Sequence, residues 1–197
     1  NLLELYSERE KQKGYKYTEG GYLYDMFEQA FEFEETEDQL SAVNDVISDM
    51  EKGKVMDRLI CGDVGYGKTE VALRAIYKAI INGKQVAFLC PTTILAEQHF
   101  ATAKKRFESS MVRLAKLNRL VPEPQVKEIK KKIAAGEVDL VIGTHKLLAN
   151  DVAFKDLGLL VLDEEQRFGV GDKEKIKALK KDIDVLTLSA TPIPRTL

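Results

Sequence analysis

The chain has 197 residues, of which 44% are hydrophobic and 31% are charged, and its formal net charge is −2. This length and composition are typical of one globular α/β domain, and the small negative charge does not by itself indicate nucleic-acid binding. The longest apolar runs, such as residues 157–162, are far shorter than the roughly 20 residues that span a membrane, and no secretory signal is evident, so we expect a cytoplasmic protein without membrane contacts.

Residues 1–30 differ in pattern from the rest of the chain. A helical opening, rich in leucine and then in charged residues, is followed by a polar stretch between Gly14 and Gly21. We predict that these residues form a helix and connector that pack on the outside of a domain comprising residues 31–197.

From residue 31 onward, predicted strands and helices alternate. Short apolar strands separated by amphipathic helices favour an α/β fold with a mostly parallel sheet and helices on both faces. The predicted helices are residues 37–51, 68–81, 94–107, 123–135 and 173–181. The predicted strands are residues 58–61, 85–90, 111–117, 139–142, 159–162 and 185–188.

A glycine-rich motif lies where strand 58–61 gives way to helix 68–81. The sequence GDVGYGKT fits the phosphate-binding loop pattern, in which Lys68 and Thr69 follow the last glycine. Glycines let the backbone wrap closely around phosphate oxygens, while the loop N–H groups and the helix N-terminus attract the anion. We expect Lys68 to reach the β and γ phosphates of ATP, and the Thr69 hydroxyl to bind Mg²⁺. The predicted nucleotide-binding residues of this loop are Gly62, Asp63, Val64, Gly65, Tyr66, Gly67, Lys68 and Thr69.

A pair of carboxylates follows the predicted strand 159–162. Asp163 and Glu164 stand at its carboxyl end, which is where ligands bind in parallel α/β sheets. We expect Asp163 to hold Mg²⁺ through its water shell, and Glu164 to accept a proton from the water that attacks the γ-phosphate. Together with the phosphate loop, this pair predicts ATP hydrolysis in which Lys68, Asp163 and Glu164 are catalytic.

Three other strands end in turns of small hydroxyl residues, proline or glycine. The sequences PTT, GTH and SAT follow the strands at residues 85–90, 139–142 and 185–188. In a parallel sheet these turns share one edge with the phosphate loop. Hydroxyl groups and helix N-termini at that edge suit contacts to a phosphodiester backbone without base recognition.

The cysteines and histidines show no metal-binding pattern. Cys61 and Cys90 lie inside apolar predicted strands, without the spacing or histidine neighbours of a zinc site, and we expect both to be buried free thiols. We expect His99 to lie on a helix face without metal-like partners. The lysine-rich stretches at residues 127–132 and 177–181 are expected to be solvated helix faces rather than DNA contacts.

These motifs together resemble the N-terminal RecA-like motor domain of superfamily two helicases and translocases. GDVGYGKT resembles motif I, DEEQ motif II, SAT motif III, PTTILAEQ motif Ia, and GTHKLL the DNA-gripping motif that follows it. ETEDQ resembles the adenine-recognising Q motif, with Gln39 as its glutamine. The resemblance covers residues 31–197 and implies a RecA-like P-loop NTPase fold. It implies DNA contacts at Pro91, Thr92, Thr93, Gly143, Thr144 and His145, and coupling of ATP hydrolysis to motion at Gln166, Ser189 and Thr191.

Within this superfamily the chain is most similar to the bacterial transcription-repair coupling factors and, next, to the RecG-type fork helicases, which share RFGV and TPIPRTL. The first resemblance implies an ATP-driven motor on double-stranded DNA that displaces stalled RNA polymerase and recruits excision-repair proteins through other domains. It also implies a second RecA-like domain, so we expect a fragment that is nearly inactive alone. Coupling factors typically carry DEEH, whereas Gln166 replaces that histidine and can hydrogen-bond but cannot become charged.

Two interpretations from other classes compete with a DNA motor. A P-loop kinase would use Asp163 and Glu164 for Mg²⁺ and a small acceptor, but it should carry a lid with clustered arginines, and the arginines here are scattered along the chain. A non-catalytic interaction module would keep the fold without the chemistry, which the intact Lys68, Thr69 and carboxylate pair disfavour. Turnover of ATP with duplex DNA, compared with a panel of metabolites, separates the motor from the kinase.

Overall fold

The computed structural model describes residues 3–4, 7–8, 12–62 and 67–190. Within these residues six parallel strands form one sheet, and helices pack on both of its faces. The strands are β1 (Asp57–Cys61), β2 (Gln85–Leu89), β3 (Leu114–Leu117), β4 (Leu140–Gly143), β5 (Leu157–Asp163) and β6 (Asp184–Ser189). The helices are α1 (Tyr22–Gln29), α2 (Glu37–Glu51), α3 (Lys68–Ile81), α4 (Thr93–Arg106), α5 (Glu123–Ala135) and α6 (Val170–Leu179), with short 3-10 helices at His145–Leu148 and Glu165–Arg167.

The strand order is β1-β6-β5-β2-β4-β3, and every neighbouring pair is parallel, so the carboxyl ends of the strands meet at one edge. This arrangement confirms the predicted α/β fold. β3 begins at Leu114 rather than at residue 111, because its pairing with β4 starts there. α6 begins at Val170, three residues before the predicted start. None of the helices in the described ranges combines the length and apolar character needed to cross a membrane.

The sheet separates two apolar clusters. Side chains of successive strand residues point to opposite faces, so Val86 and Phe88 pack beneath α1, α2, α3 and α4, whereas Ala87 and Leu89 pack against α5 and α6. β2, β4 and β6 are buried at every residue, as expected for strands that helices cover on both faces. The rigid centre of the sheet therefore supports the turns at its carboxyl edge.

β1 differs from the central strands because it lies at one edge of the sheet. Its residues alternate between exposed and half-buried, and within the described residues it pairs only with β6. Cys61 is consequently exposed, and the prediction that both cysteines are buried was wrong for this residue. Cys90 is buried as predicted, and burial raises the pKa of its thiol.

The segment before α2 contributes to the same core as the sheet. Gly14 donates its N–H to the carbonyl of Gly53 at 3.0 Å, and Tyr17 donates to the carbonyl of Met50 at 3.2 Å. A Cβ on Gly14 would lie 2.7 Å from the backbone of Lys54, so only glycine permits this approach. Tyr17 is 1% exposed, and Tyr24 and Phe27 of α1 join the cluster beneath α3.

Candidate nucleotide-binding site

The phosphate loop leaves β1 at the carboxyl edge of the sheet. Gly62 donates its N–H to the carbonyl of Ser189 at 3.2 Å, which fixes the start of the loop against the end of β6. Gly67 precedes α3 in a left-handed conformation with a φ of 71°, which glycine adopts without a steric penalty. The remaining predicted loop residues, Asp63, Val64, Gly65 and Tyr66, lie outside the described residues.

The two polar residues after the loop begin α3. The ammonium of Lys68 donates to the carbonyl of Gly62 at 2.5 Å, so this side chain spans the loop from its last residue to its first. Thr69 follows on the first helical turn and is half-buried. A cation and a hydroxyl thus stand at the N-terminus of a 14-residue helix, where backbone N–H groups already favour an anion.

Gln39 lies against the phosphate loop although it comes from a different helix. It forms a capping box with Thr36 at the start of α2, in which its side-chain oxygen accepts from the Thr36 N–H at 3.0 Å. Its side-chain nitrogen lies 3.5 Å from the carbonyl oxygen of Gly67. A Cβ on Gly67 would lie 1.7 Å from that nitrogen, so the absence of a side chain at Gly67 makes the approach possible.

Asp163 ends β5 at the carboxyl edge and is 8% exposed. Its Oδ2 lies 2.8 Å from Nε2 of His99, whose ring packs on the Phe88 ring with 4.7 Å between centroids. His99 is on α4, as predicted, but its contact with the predicted metal ligand was not anticipated. The sequence carries no signal for it, because His99 is 64 residues away from Asp163 and sits in an ordinary helical pattern.

Glu164 follows β5 in a strained backbone conformation, and its side chain contacts the end of β6. With φ 49° and ψ 57°, it is the only non-glycine residue of the described chain with a positive φ, a conformation that costs on the order of 1–3 kcal/mol. Its Oε1 accepts from the backbone N–H of Ala190 at 2.8 Å, and its Oε2 lies 3.4 Å from the Ser189 hydroxyl. Gln166 donates its side-chain N–H to the same Oε2. The structure therefore brings together three of the predicted coupling and catalytic residues, Glu164, Gln166 and Ser189, while Thr191 lies outside the described residues.

The turns predicted to contact DNA lie farther along the same edge. β2 and β4 are neighbours, so Pro91–Thr93 and the turn after Gly143 are adjacent. Thr92 caps α4, its hydroxyl accepting from the N–H of Leu95 at 3.2 Å. Thr144 is buried, whereas His145 is exposed at the start of its 3-10 helix. The DNA contacts themselves stay a prediction.

A buried charge network adjoins the phosphate-loop helix and was not predicted. Arg74 is fully buried and donates to Glu70 at 3.0 Å, to Glu28 at 3.1 Å and to Glu35 at 2.6 Å. Arg106 of α4 also donates to Glu70, at 2.7 Å. The spacing of Glu70 and Arg74, four residues apart on one helix, is the only local signal for this network. Both guanidinium groups are therefore paired with carboxylates.

The family assignment follows from sequence comparison. The profile of the DEAD/DEAH box helicases matches residues 36–197. The chain belongs to this family. The geometry around Lys68, Asp163 and Glu164 accordingly belongs to a helicase-type ATPase domain.

Two curated relatives and one solved structure show which members of the family this chain is similar to. The chain is 56% identical over 197 residues to the transcription-repair-coupling factor of Bacillus subtilis and 54% identical over 196 residues to that of Staphylococcus epidermidis. It covers 17% of the length of each of these relatives. A solved structure of RecG bound to a three-way DNA junction superposes with a TM-score of 0.84 at 39% identity, covering 98% of this chain and 26% of that chain. The predicted resemblance to the coupling factors is confirmed.

The described residues suit a nucleotide with a bound divalent cation. The hydroxyl of Thr69 and the carboxylate of Asp163 are hard oxygen donors of the kind that Mg²⁺ prefers, and Mg²⁺ usually takes only one or two protein carboxylates beside substrate phosphates. The His99 contact occupies one oxygen of Asp163 and leaves the other without a partner among the described residues.

Proposed function

We propose that the chain is the first motor domain of a transcription-repair coupling factor, an ATP-driven translocase on double-stranded DNA. The identity of 54–56% over the whole chain, against 39% for RecG, supports this choice. In this proposal the motor displaces stalled RNA polymerase, and other domains bind the polymerase and the excision-repair proteins. A RecG-type fork helicase remains the second candidate, because the RecG structure superposes over 98% of the chain.

The hydrolytic step is assigned to groups at the carboxyl edge. Lys68 neutralises the β and γ phosphates, and the adenine is recognised at Gln39. Thr69 and Asp163 would hold Mg²⁺, which when bound neutralises phosphate charge and orients the γ-phosphate. Glu164 accepts the proton of the attacking water.

The contact between Glu164 and the SAT segment favours a motor over a simple nucleotide-binding site. Glu164 accepts a hydrogen bond from the backbone N–H of Ala190 and lies beside the Ser189 hydroxyl. Both residues belong to the SAT segment, which resembles motif III and begins at the end of β6. In this proposal a change at the general base is transmitted through that hydrogen bond to the end of β6, which lies between β1 and β5 in the sheet. Such a link converts the state of the γ-phosphate into a shift of the turns that we assign to coupling.

The DNA track is proposed to run along the remaining turns of the same edge. Pro91, Thr92 and Thr93 at the N-terminus of α4 would meet one phosphodiester group, and the turn at Gly143, Thr144 and His145 another. Backbone N–H groups, hydroxyls and a helix N-terminus suit phosphate contacts that carry no base specificity. A second RecA-like domain would supply the other side of the groove.

The test is DNA-stimulated ATP hydrolysis and triplex displacement from duplex DNA by the full-length protein. We expect duplex DNA, rather than metabolites, to accelerate hydrolysis, and the motor to displace the third strand. Displacement of a stalled RNA polymerase then separates the two candidates, because a fork helicase would instead remodel branched DNA. Hydrolysis that responds to a small phosphate acceptor and not to DNA would contradict the proposal.

A further inference from the structure

His99 contacts the carboxylate of Asp163, and this contact can fix the orientation of that carboxylate. The side chain of His99 is 14% exposed and that of Asp163 is 12% exposed, so the contact at 2.8 Å is mostly shielded from water. Phe88 of β2 supports the imidazole ring from one side, at an interplanar angle of 33°. Packing and hydrogen bonding together therefore restrict the ring to one orientation.

The chemistry of the pair fixes which atom donates. An ionised carboxylate can only accept hydrogen bonds, so Nε2 of His99 carries the proton and donates to Oδ2 of Asp163. Oδ1 is then the oxygen left for a water of the metal shell. A carboxylate held through one oxygen loses rotational freedom about its terminal bond, which is how outer-shell groups orient metal ligands.

The support behind His99 is rigid. α4 is capped by Thr92, and Ala96 and Ala103 on its inner face are at most 1% exposed. The ring is thus carried by a capped helix packed on the sheet, rather than by a loop. Asp163 itself ends a strand that is paired on both sides.

We propose that His99 is a positioning residue for the metal-binding carboxylate of Asp163. It holds Asp163 in the orientation that binds the hydrated cation, and it does not itself contact nucleotide or metal. This inference rests on the proposed ATPase function, since it assigns a role toward the cation of the same site.

Three variants of the full-length protein separate positioning from packing. His99→Phe keeps an aromatic ring on Phe88 but removes the donor. His99→Gln places an amide N–H near the position of Nε2 and restores it. Lys104→Ala, at an exposed position farther along α4, serves as the matched control. Thermal unfolding of each variant reports whether the fold is retained.

The main readout is the Mg²⁺ concentration that gives half-maximal binding of a fluorescent ATP analogue. We expect His99→Phe to raise it by about 10- to 100-fold, with binding in EDTA unchanged, and His99→Gln to restore most of the loss. ATP hydrolysis at limiting Mg²⁺ should fall in parallel and recover at high Mg²⁺. A His99→Phe protein with wild-type Mg²⁺ dependence would overturn the proposal.

Equal losses in the Phe and Gln variants would also overturn it, because the amide N–H supplied by His99→Gln would then have restored nothing. The binding measurement stands apart from the motor. If the wild-type protein bound ATP with Mg²⁺ but showed no DNA-stimulated hydrolysis, the proposed function would fail while the role of His99 was still decided by the Mg²⁺ titration.

Discussion

The carboxylate of Glu164 accepts a hydrogen bond from the backbone N–H of Ala190 at 2.8 Å, across the gap between the ends of β5 and β6. Glu164 adopts a left-handed backbone conformation to make this contact. Strain at a non-glycine residue persists only where its surroundings hold it, and such positions cluster at functional sites. The residue that we propose as the general base thereby links the DEEQ segment to the SAT segment through a hydrogen bond.

Glu164→Gln should therefore abolish turnover while preserving the site. The amide keeps the shape of the carboxylate but cannot take a proton from water, and loss of a general base typically costs about 10²- to 10⁴-fold in rate. We expect ATP and DNA binding to persist in the full-length protein, measured by fluorescence anisotropy beside phosphate release. Glu165→Gln is the matched control, because Glu165 instead pairs with Lys180 at 2.7 Å. Normal hydrolysis by Glu164→Gln would remove this residue as the base.

Lys68→Ala should weaken ATP binding and stop the motor. The Lys68 ammonium spans the phosphate loop in the structure, and its removal leaves phosphate charge without a compensating cation. Lys52→Ala, at an exposed lysine directly after the C-terminal end of α2, should bind ATP normally. Isothermal titration with ATP and Mg²⁺ measures the difference. Translocation at the wild-type rate by the Lys68 variant would show that the loop does not hold the nucleotide.

Asp184 makes the stability of the fold depend on pH. Burial raises the pKa of its carboxyl from an ordinary 3.8 to about 7, although the N–H of Met56 donates to it at 2.6 Å. Because the raised pKa keeps this group protonated in the folded chain while it ionises in the unfolded chain, the free energy of unfolding falls as pH rises from about 4 to 7. Each unit of pKa difference corresponds to about 1.4 kcal/mol.

Asp184→Asn should remove this pH dependence. The amide oxygen still accepts from Met56, and no charge is buried at neutral pH. We expect the variant to lose less stability than the wild type between pH 4 and 7 in urea titrations. Asp182→Asn, at an exposed position two residues earlier, should leave the wild-type profile unchanged. Parallel profiles for the wild type and Asp184→Asn would contradict the assignment.

Arg74→Ala should destabilise the domain strongly. The guanidinium is fully buried, and its removal leaves Glu70, Glu28 and Glu35 without their shared partner. Breaking a buried ion pair from one side typically costs about 3–5 kcal/mol. Arg113→Ala is the control, since that arginine pairs with Asp139 at an exposed site and should cost under about 1 kcal/mol. Denaturant unfolding monitored by circular dichroism compares the two.

The sequence contained the local features of the site and little of its tertiary contacts. The change from strand β1 to helix α3 was predictable, because the glycines, the lysine and the helical period are neighbours in the chain. The contact of His99 with Asp163 and that of Gln39 with Gly67 join residues 64 and 28 positions apart, and depend on how helices pack on the sheet. The exposure of Cys61 depends on β1 lying at the edge of the sheet, which an apolar run does not reveal.

The last prediction concerns turnover by the chain of 197 residues tested alone. Rapid hydrolysis by this class of fold needs a positive charge against the developing charge on the γ-phosphate, and arginine fingers contribute about 10³- to 10⁵-fold. Near the phosphate-loop helix, the guanidinium groups of Arg74 and Arg106 already donate hydrogen bonds to the carboxylate of Glu70. We therefore do not expect either of them to act as the finger. Arg195 follows SAT in the sequence and lies outside the described residues, and we expect it to contact a partner domain.

We therefore propose that a second RecA-like domain supplies the arginine finger, and that the chain alone binds ATP weakly with Mg²⁺ and hydrolyses it slowly. Duplex DNA should not restore the rate, because half of the proposed groove belongs to the second domain. Phosphate release with and without duplex DNA measures this, and the full-length protein under the same conditions is the control. Adding the second domain as a separate polypeptide should restore part of the rate. Robust DNA-stimulated hydrolysis by residues 1–197 alone would overturn the two-domain mechanism.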